Sequence, residues 1–89
     1  MNEMIDEKWG RDEMMVIAAF RYCLGRRTFV SYYCDWLVTN WVNLQDGTRN
    51  AIQRELEDAF AASKYQNILG DDIDRKQWER VRALWRKDK

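Results

Sequence analysis

The residues best equipped for chemistry in this chain are arginines. Arg21, Arg26 and Arg27 flank Gly25 and place three guanidinium groups around the end of one expected helix and the turn into the next. Such a group can grip a phosphate or a carboxylate bidentately. A plainer role fits the same residues. Cations near a helix C-terminus each stabilise it by about 0.3–1 kcal/mol, and they can pair internally, for example with Asp35. A second basic set, Arg75, Arg80 and Arg82, falls on the last expected helix, where it could meet nucleic acid or form a solvated face.

Catalytic parts are missing. Histidine is absent, which removes the commonest general base and metal ligand. Asp71, Asp72 and Asp74 cluster at an expected helix start, where capping and the helix dipole explain them without a metal. Cys23 and Cys34 stand eleven residues apart with no Cys-x-x-Cys spacing, and they read as small buried hydrophobes in place of a disulfide. No glycine-rich phosphate loop occurs. The chain is therefore expected not to be an enzyme, with no catalytic residue, no metal and no cofactor.

The aromatics offer a different chemistry. Five Trp, four Tyr and three Phe in 89 residues exceed what a thin core needs, and Trp, Tyr and Arg dominate protein interfaces. Phe29, Tyr32 and Trp36 lie off the main apolar stripe of their helix, so they either pack against a connector or form an exposed patch. Candidate interaction residues are thus Arg21, Arg26, Arg27, Tyr32, Trp36, Arg75, Arg80 and Arg82.

Four helices must position these groups. The chain lacks proline, and its four glycines, at 10, 25, 47 and 70, space it at helical intervals. The first helix is expected over 12–24 and, being apolar on most sides, as the central and most buried one. The second runs from an N-cap at Thr28 to about Asn43, with Val30, Tyr33, Cys34, Leu37 and Trp41 at spacings of three and four. The third, 48–63, starts from caps among Asp46 and Thr48 and carries Ile52, Leu56, Ala59 and Phe60 on one stripe, with Glu55 and Glu57 facing solvent. The fourth runs to about Arg86 from a capping box of Asp74 with Gln77, with Ile73 stapled to Trp78, and turns Arg82 and Lys87 outward. The expectation is an all-α fold: a compact bundle of about four helices in a single domain, 12–89, behind a flexible acidic segment, 1–11.

Charge narrows the partners. Acidic and basic residues both number 15, so a general polyanion binder is not indicated. The distribution is uneven: residues 1–13 hold five acidic and two basic groups, and residues 73–89 hold three and seven. A helix-turn-helix reading fails on register, because Gly25 as the turn glycine puts Arg21 where a small residue belongs and Ser31 where an apolar one does. The start lacks the basic-then-apolar order of a leader, and the longest apolar run, 14–24, is too short for a bilayer and is broken by Arg21. The protein is expected in the cytoplasm without a membrane partner. Nucleic acid, and a second copy of the chain, stay open as partners.

The run from Ile17 through Phe20, Arg21, Cys23 and Gly25 to Thr28 resembles a segment of small accessory proteins of tailed phages and prophages. Asp35-Trp36, Gly70-Asp71-Asp72 and the stretch from Trp78 to Trp85 are similar too, so the resemblance covers most of the chain from residue 13 onward. It brings no catalytic motif. It implies a protein of an infected bacterial cell that binds and inhibits a host defence complex, in the manner of an anti-CRISPR, or a DNA-processing complex.

Overall fold

The computed structural model describes residues 13–86. The acidic segment 1–11 and Lys87 lie outside these residues. Four helices form: α1 (Glu13–Arg26), α2 (Val30–Asn40), α3 (Asp46–Ala62) and α4 (Asp72–Arg86), with a 3-10 turn (Trp41–Asn43) after α2. No strand occurs among the described residues. The all-α expectation holds, because apolar side chains recur at helical spacing in each segment and are the ones buried. In α3 these are Ile52, Leu56, Ala59 and Phe60, and in α4 Trp78 and Val81.

The helices close into a ring in the order α1, α2, α4, α3, each packing principally on two neighbours. This corrects the expectation that α1 is central. Among the described residues α1 buries Val16, Phe20 and Cys23, while Met14, Met15 and Tyr22 are exposed. The most extensive interface lies between α2 and α4. Its apolar excess misled because α1 is one wall of the ring, and one face of a wall is open.

Phe20 of α1 and Trp78 of α4 meet across the middle of the ring, edge to face, with ring centroids 5.5 Å apart and planes at 82°. Both are sealed from solvent. Full burial of a side chain of this size contributes roughly 1.5–3 kcal/mol, and the aromatic pairing adds about 0.5–1.5 kcal/mol.

Helix ends depart from the expected caps. Gly25 does not stop α1. The helix continues to Arg26, Arg27 takes the left-handed conformation (φ 57), and the Thr28 amide donates back to the Cys23 carbonyl at 3.3 Å. Thr28 does not cap α2, whose preceding residue is Phe29, also left-handed (φ 54). α3 starts at Asp46 and not at Thr48, which is buried; Gln45 precedes it without a side-chain cap. Asp46 instead pairs with Arg49, and Arg49 Nη1 donates to the Leu44 carbonyl at 2.6 Å, gathering the end of the 3-10 turn. At α4 the cap is Asp71, whose Oδ1 accepts the Asp74 amide at 2.9 Å. The Asp74 and Gln77 box does not form, and Ile73 is exposed where a staple would bury it.

Two glycines therefore have opposite standing. Gly25 is helical, and a Cβ there would meet nothing within 4 Å. Gly70 has φ +86, and a Cβ would come within 2.8 Å of Asp74 Oδ2. Gly25→Ala is expected to stabilise the fold by about 0.5–1 kcal/mol, and Gly70→Ala to destabilise it by about 1–3 kcal/mol. Urea midpoints of the two variants against the parent check both signs.

Candidate functional site

The eight candidate residues do not converge on one site. Most of the arginines hold the ring together. Arg21 of α1 donates to Glu55 of α3 in a fork, with Nε at 3.0 and 3.2 Å from the two oxygens. Arg80 of α4 donates to Asp35 of α2 at 2.7 Å and to Gln77 at 2.6 Å. Arg82 of α4 donates to Glu57 of α3 through Nη2 at 2.8 Å and Nε at 3.1 Å, and lies 4.3 Å above the Phe60 ring. Arg75 pairs with Glu79 within α4 at 3.8 Å. Arg27 donates to the Asn67 carbonyl, tying the α1 end to the connector before α4, and Arg26 lies 5.7 Å from the Tyr22 ring centre.

Each seam of the ring thus carries its own polar tie. Three are Arg–carboxylate pairs. The fourth, between α1 and α2, is the Tyr33 hydroxyl donating to the Val16 carbonyl at 2.7 Å. Asp35 does not receive Arg21, Arg26 or Arg27, as the plainer reading had suggested, since Arg80 occupies it. Glu55 and Glu57 are half-buried partners and not solvent-facing, and Arg82, only 27% exposed in its side chain, does not point outward. The signal for Glu57 was present in the sequence. The indole N–H of Trp85 needs an acceptor, and it donates to Glu57 at 2.9 Å.

Between Arg21, Leu24, Gly25 and Arg27 on one side and Gln66, Asn67 and Ile68 on the other runs a groove of about 380 Å³. Its two arginines already donate to Glu55 and Asn67, which leaves less for a bound anion. Among the described residues no group of three His, Cys, Asp or Glu is arranged to hold a metal ion, and no helix is long and apolar enough to cross a membrane.

The remaining candidates behave differently. Phe29 and Tyr32 are 70% and 79% exposed. With Cys23 and Tyr33 they wall an apolar hollow of about 450 Å³. Trp36 is half-buried and stacks on Tyr33 at 6.0 Å. Helical spacing sets Tyr32 and Trp36 on one side of α2, and Met15, Ala19, Tyr22 and Arg26 on one side of α1. Around this hollow Phe29 and Tyr32 form an exposed aromatic edge, where the start of α2 meets Cys23 of α1. Of the two readings held for Phe29, Tyr32 and Trp36, the exposed patch describes Phe29 and Tyr32, and packing describes Trp36.

Phe29 combines two costs. A bulky residue at positive φ is a backbone outlier, and a largely exposed phenyl ring is unfavourable in water. Strain of this kind, at about 1–2 kcal/mol, collects at functional sites. Of the site's residues, Phe29 is the one whose weight the sequence understated, because nothing in a residue string marks φ. Compared with protein-family models, with curated proteins and with solved structures, the chain matches none.

Both thiols are buried. Burial pushes Cys34 up to about 12 and raises Cys23 as well, and both are free. A water-soluble disulfide reagent at mildly alkaline pH is expected to react slowly until denaturant is added; rapid labelling of the native protein would contradict this.

Acid sensitivity should centre on Glu57. Hydrogen bonds from Arg82, then from Trp85, hold its carboxyl at about 2 against an ordinary 4.5. The folded state therefore binds fewer protons, so this contribution is complete above 4.5 and is lost as pH falls toward 2. Glu57→Gln is expected to lower Tm at about pH 6 and to narrow the further drop between about pH 6 and about pH 3. Thermal melts at the two pH values measure this, and an unchanged drop would exclude Glu57 as a source of it.

Proposed function

We propose that this protein works without catalysis, by binding another protein through the aromatic edge of Phe29 and Tyr32. The observation that carries the reading is Phe29, held in a strained backbone conformation and yet turned to solvent. A residue that contributes little to the fold and costs it stability is accounted for by a contact outside the fold. The two rings offer on the order of 300 Å² of exposed side chain, the size of patch that marks interaction sites on small proteins.

The finer reading is inhibition of a host defence complex, such as a CRISPR effector, or of a DNA-processing complex in the bacterial cytoplasm. It is supported by the resemblance of the Ile17 to Thr28 run to phage accessory proteins. Binding of nucleic acid through the arginines has weaker support, since Arg21, Arg80 and Arg82 each donate to a carboxylate of this same chain.

A tagged pull-down from nuclease-treated bacterial lysate tests the proposal. The native chain is expected to retain a specific protein partner. Phe29→Asn, at a position where asparagine tolerates positive φ, is expected to lose that partner with Tm unchanged or raised. Retention by Phe29→Asn, or retention that disappears on nuclease treatment, would overturn it.

A further inference from the structure

We infer that the groove between the end of α1 and the connector before α4 binds a small monocarboxylate on an apolar body of about phenyl size, with Gly25 as its floor and Arg21 and Arg27 as its donors. This site lies apart from the aromatic edge, and neither reading depends on the other.

Two residues stand in the opposite order from the one the backbone asks for. Gly25 lies within α1, where a glycine weakens a helix relative to alanine. Arg27, two residues on, holds the left-handed conformation (φ 57) that a glycine adopts without strain. Stability alone favours alanine at 25 and glycine at 27. Packing gives no reason for the glycine, because a Cβ there would meet nothing within 4 Å. Gly25 instead lines the groove, where a bare backbone lets a ligand approach closely.

The walls carry matching chemistry. A guanidinium has five N–H donors. Arg21 engages Nε and Nη2 on Glu55, and Arg27 engages Nη2 on the Asn67 carbonyl, so Nη1 of each makes no hydrogen bond among the described residues. These contacts hold both guanidinium planes in place before a ligand arrives, which lowers the entropic cost of binding. Leu24 and Ile68, half-buried and packed on the core, add an apolar wall. At about 380 Å³ the space is at the small end of ligand pockets.

Charge selects the ligand. Glu55 already balances Arg21, whereas Arg27 faces a neutral carbonyl and, without a hydrogen bond, the Asp74 carboxylate. The surplus positive charge is at most that of a single guanidinium. A phosphomonoester dianion would bring a second negative charge toward Glu55 and Asp74. A planar carboxylate brings one, and its two oxygens suit guanidinium donors.

Titration of the isotope-labelled full chain with sodium benzoate at constant ionic strength, followed by the amide NMR spectrum, tests the inference. Benzoate is expected to saturate with a Kd of about 0.1–1 mM and to move the Leu24, Gly25, Asn67 and Ile68 amides most. Benzamide, which has the same shape without the charge, is expected to bind about tenfold more weakly. Gly25→Ala is expected to raise Tm and yet weaken benzoate about tenfold, because its methyl fills the floor. Arg27→Gly, which relieves the backbone while removing a donor, is expected to leave Tm unchanged or raised and to weaken benzoate to a similar degree.

No saturable shift with benzoate, or equal binding of benzoate and benzamide, overturns the inference. Undiminished binding by Gly25→Ala overturns it as well, since the glycine would then serve no ligand. Phenyl phosphate binding more tightly than benzoate overturns the choice of a monoanion.

Discussion

Phe20 against Trp78 is the contact on which the arrangement turns. The two rings come from helices on opposite sides of the ring and meet where all four helices have room for large side chains. With that diagonal set, the neighbouring walls are fixed at a distance that long polar side chains can bridge. The bridges follow: Arg21 to Glu55, Arg80 to Asp35, Arg82 to Glu57. Surface pairs of this kind contribute only about 0–1 kcal/mol each. Their geometric value is greater, because a planar guanidinium matched to a carboxylate accepts few registers, and three of them define which helix sits beside which.

The α1/α2 seam is the exception. Its tie is a buried phenol on a backbone carbonyl, and its rim carries rings where the other seams carry charges. Three seams are thereby closed by ion pairs, and one is left apolar at its rim. The short link between the two helices sharpens the contrast, with Arg27 and Phe29 both in the left-handed region. The chain turns sharply there without a glycine, and the turn carries Phe29 outward.

Much of the fold was legible in the residue order, for a simple reason. Apolar residues at spacings of three and four, such as Ile52, Leu56, Ala59 and Phe60, have no other economical burial than a helix packed on its neighbours. The ends were less legible because α1 stops on Arg27, where a glycine was expected, and α4 is capped by Asp71 three residues before Asp74. Either choice satisfies the same orphan amides and carbonyls. The candidate site was legible in type and not in use. Arg21, Arg80 and Arg82 stood out as arginines, but their carboxylates lie 34, 45 and 25 residues away. Local sequence cannot choose among fifteen acidic groups at such separations. Tyr32 and Trp36 both lie off the apolar stripe, yet one is exposed and the other stacks on Tyr33, a difference set by the neighbouring helix and not by local spacing.

The ring order α1, α2, α4, α3 has a kinetic consequence. Helices adjacent in sequence are adjacent in space within the pairs α1/α2 and α3/α4, whereas α2 and α3, joined by the 3-10 turn, are not principal neighbours. Each pair is a helical hairpin whose loop closes at small entropic cost. The contacts between hairpins, Phe20 with Trp78 among them, span the longest stretches of chain. The most extensive interface, α2 with α4, also lies between the hairpins, so most of the packing that holds the ring forms only when the two meet. The Arg49 clamp on the Leu44 carbonyl lies in the segment that joins them and sets the direction in which the second hairpin leaves the first.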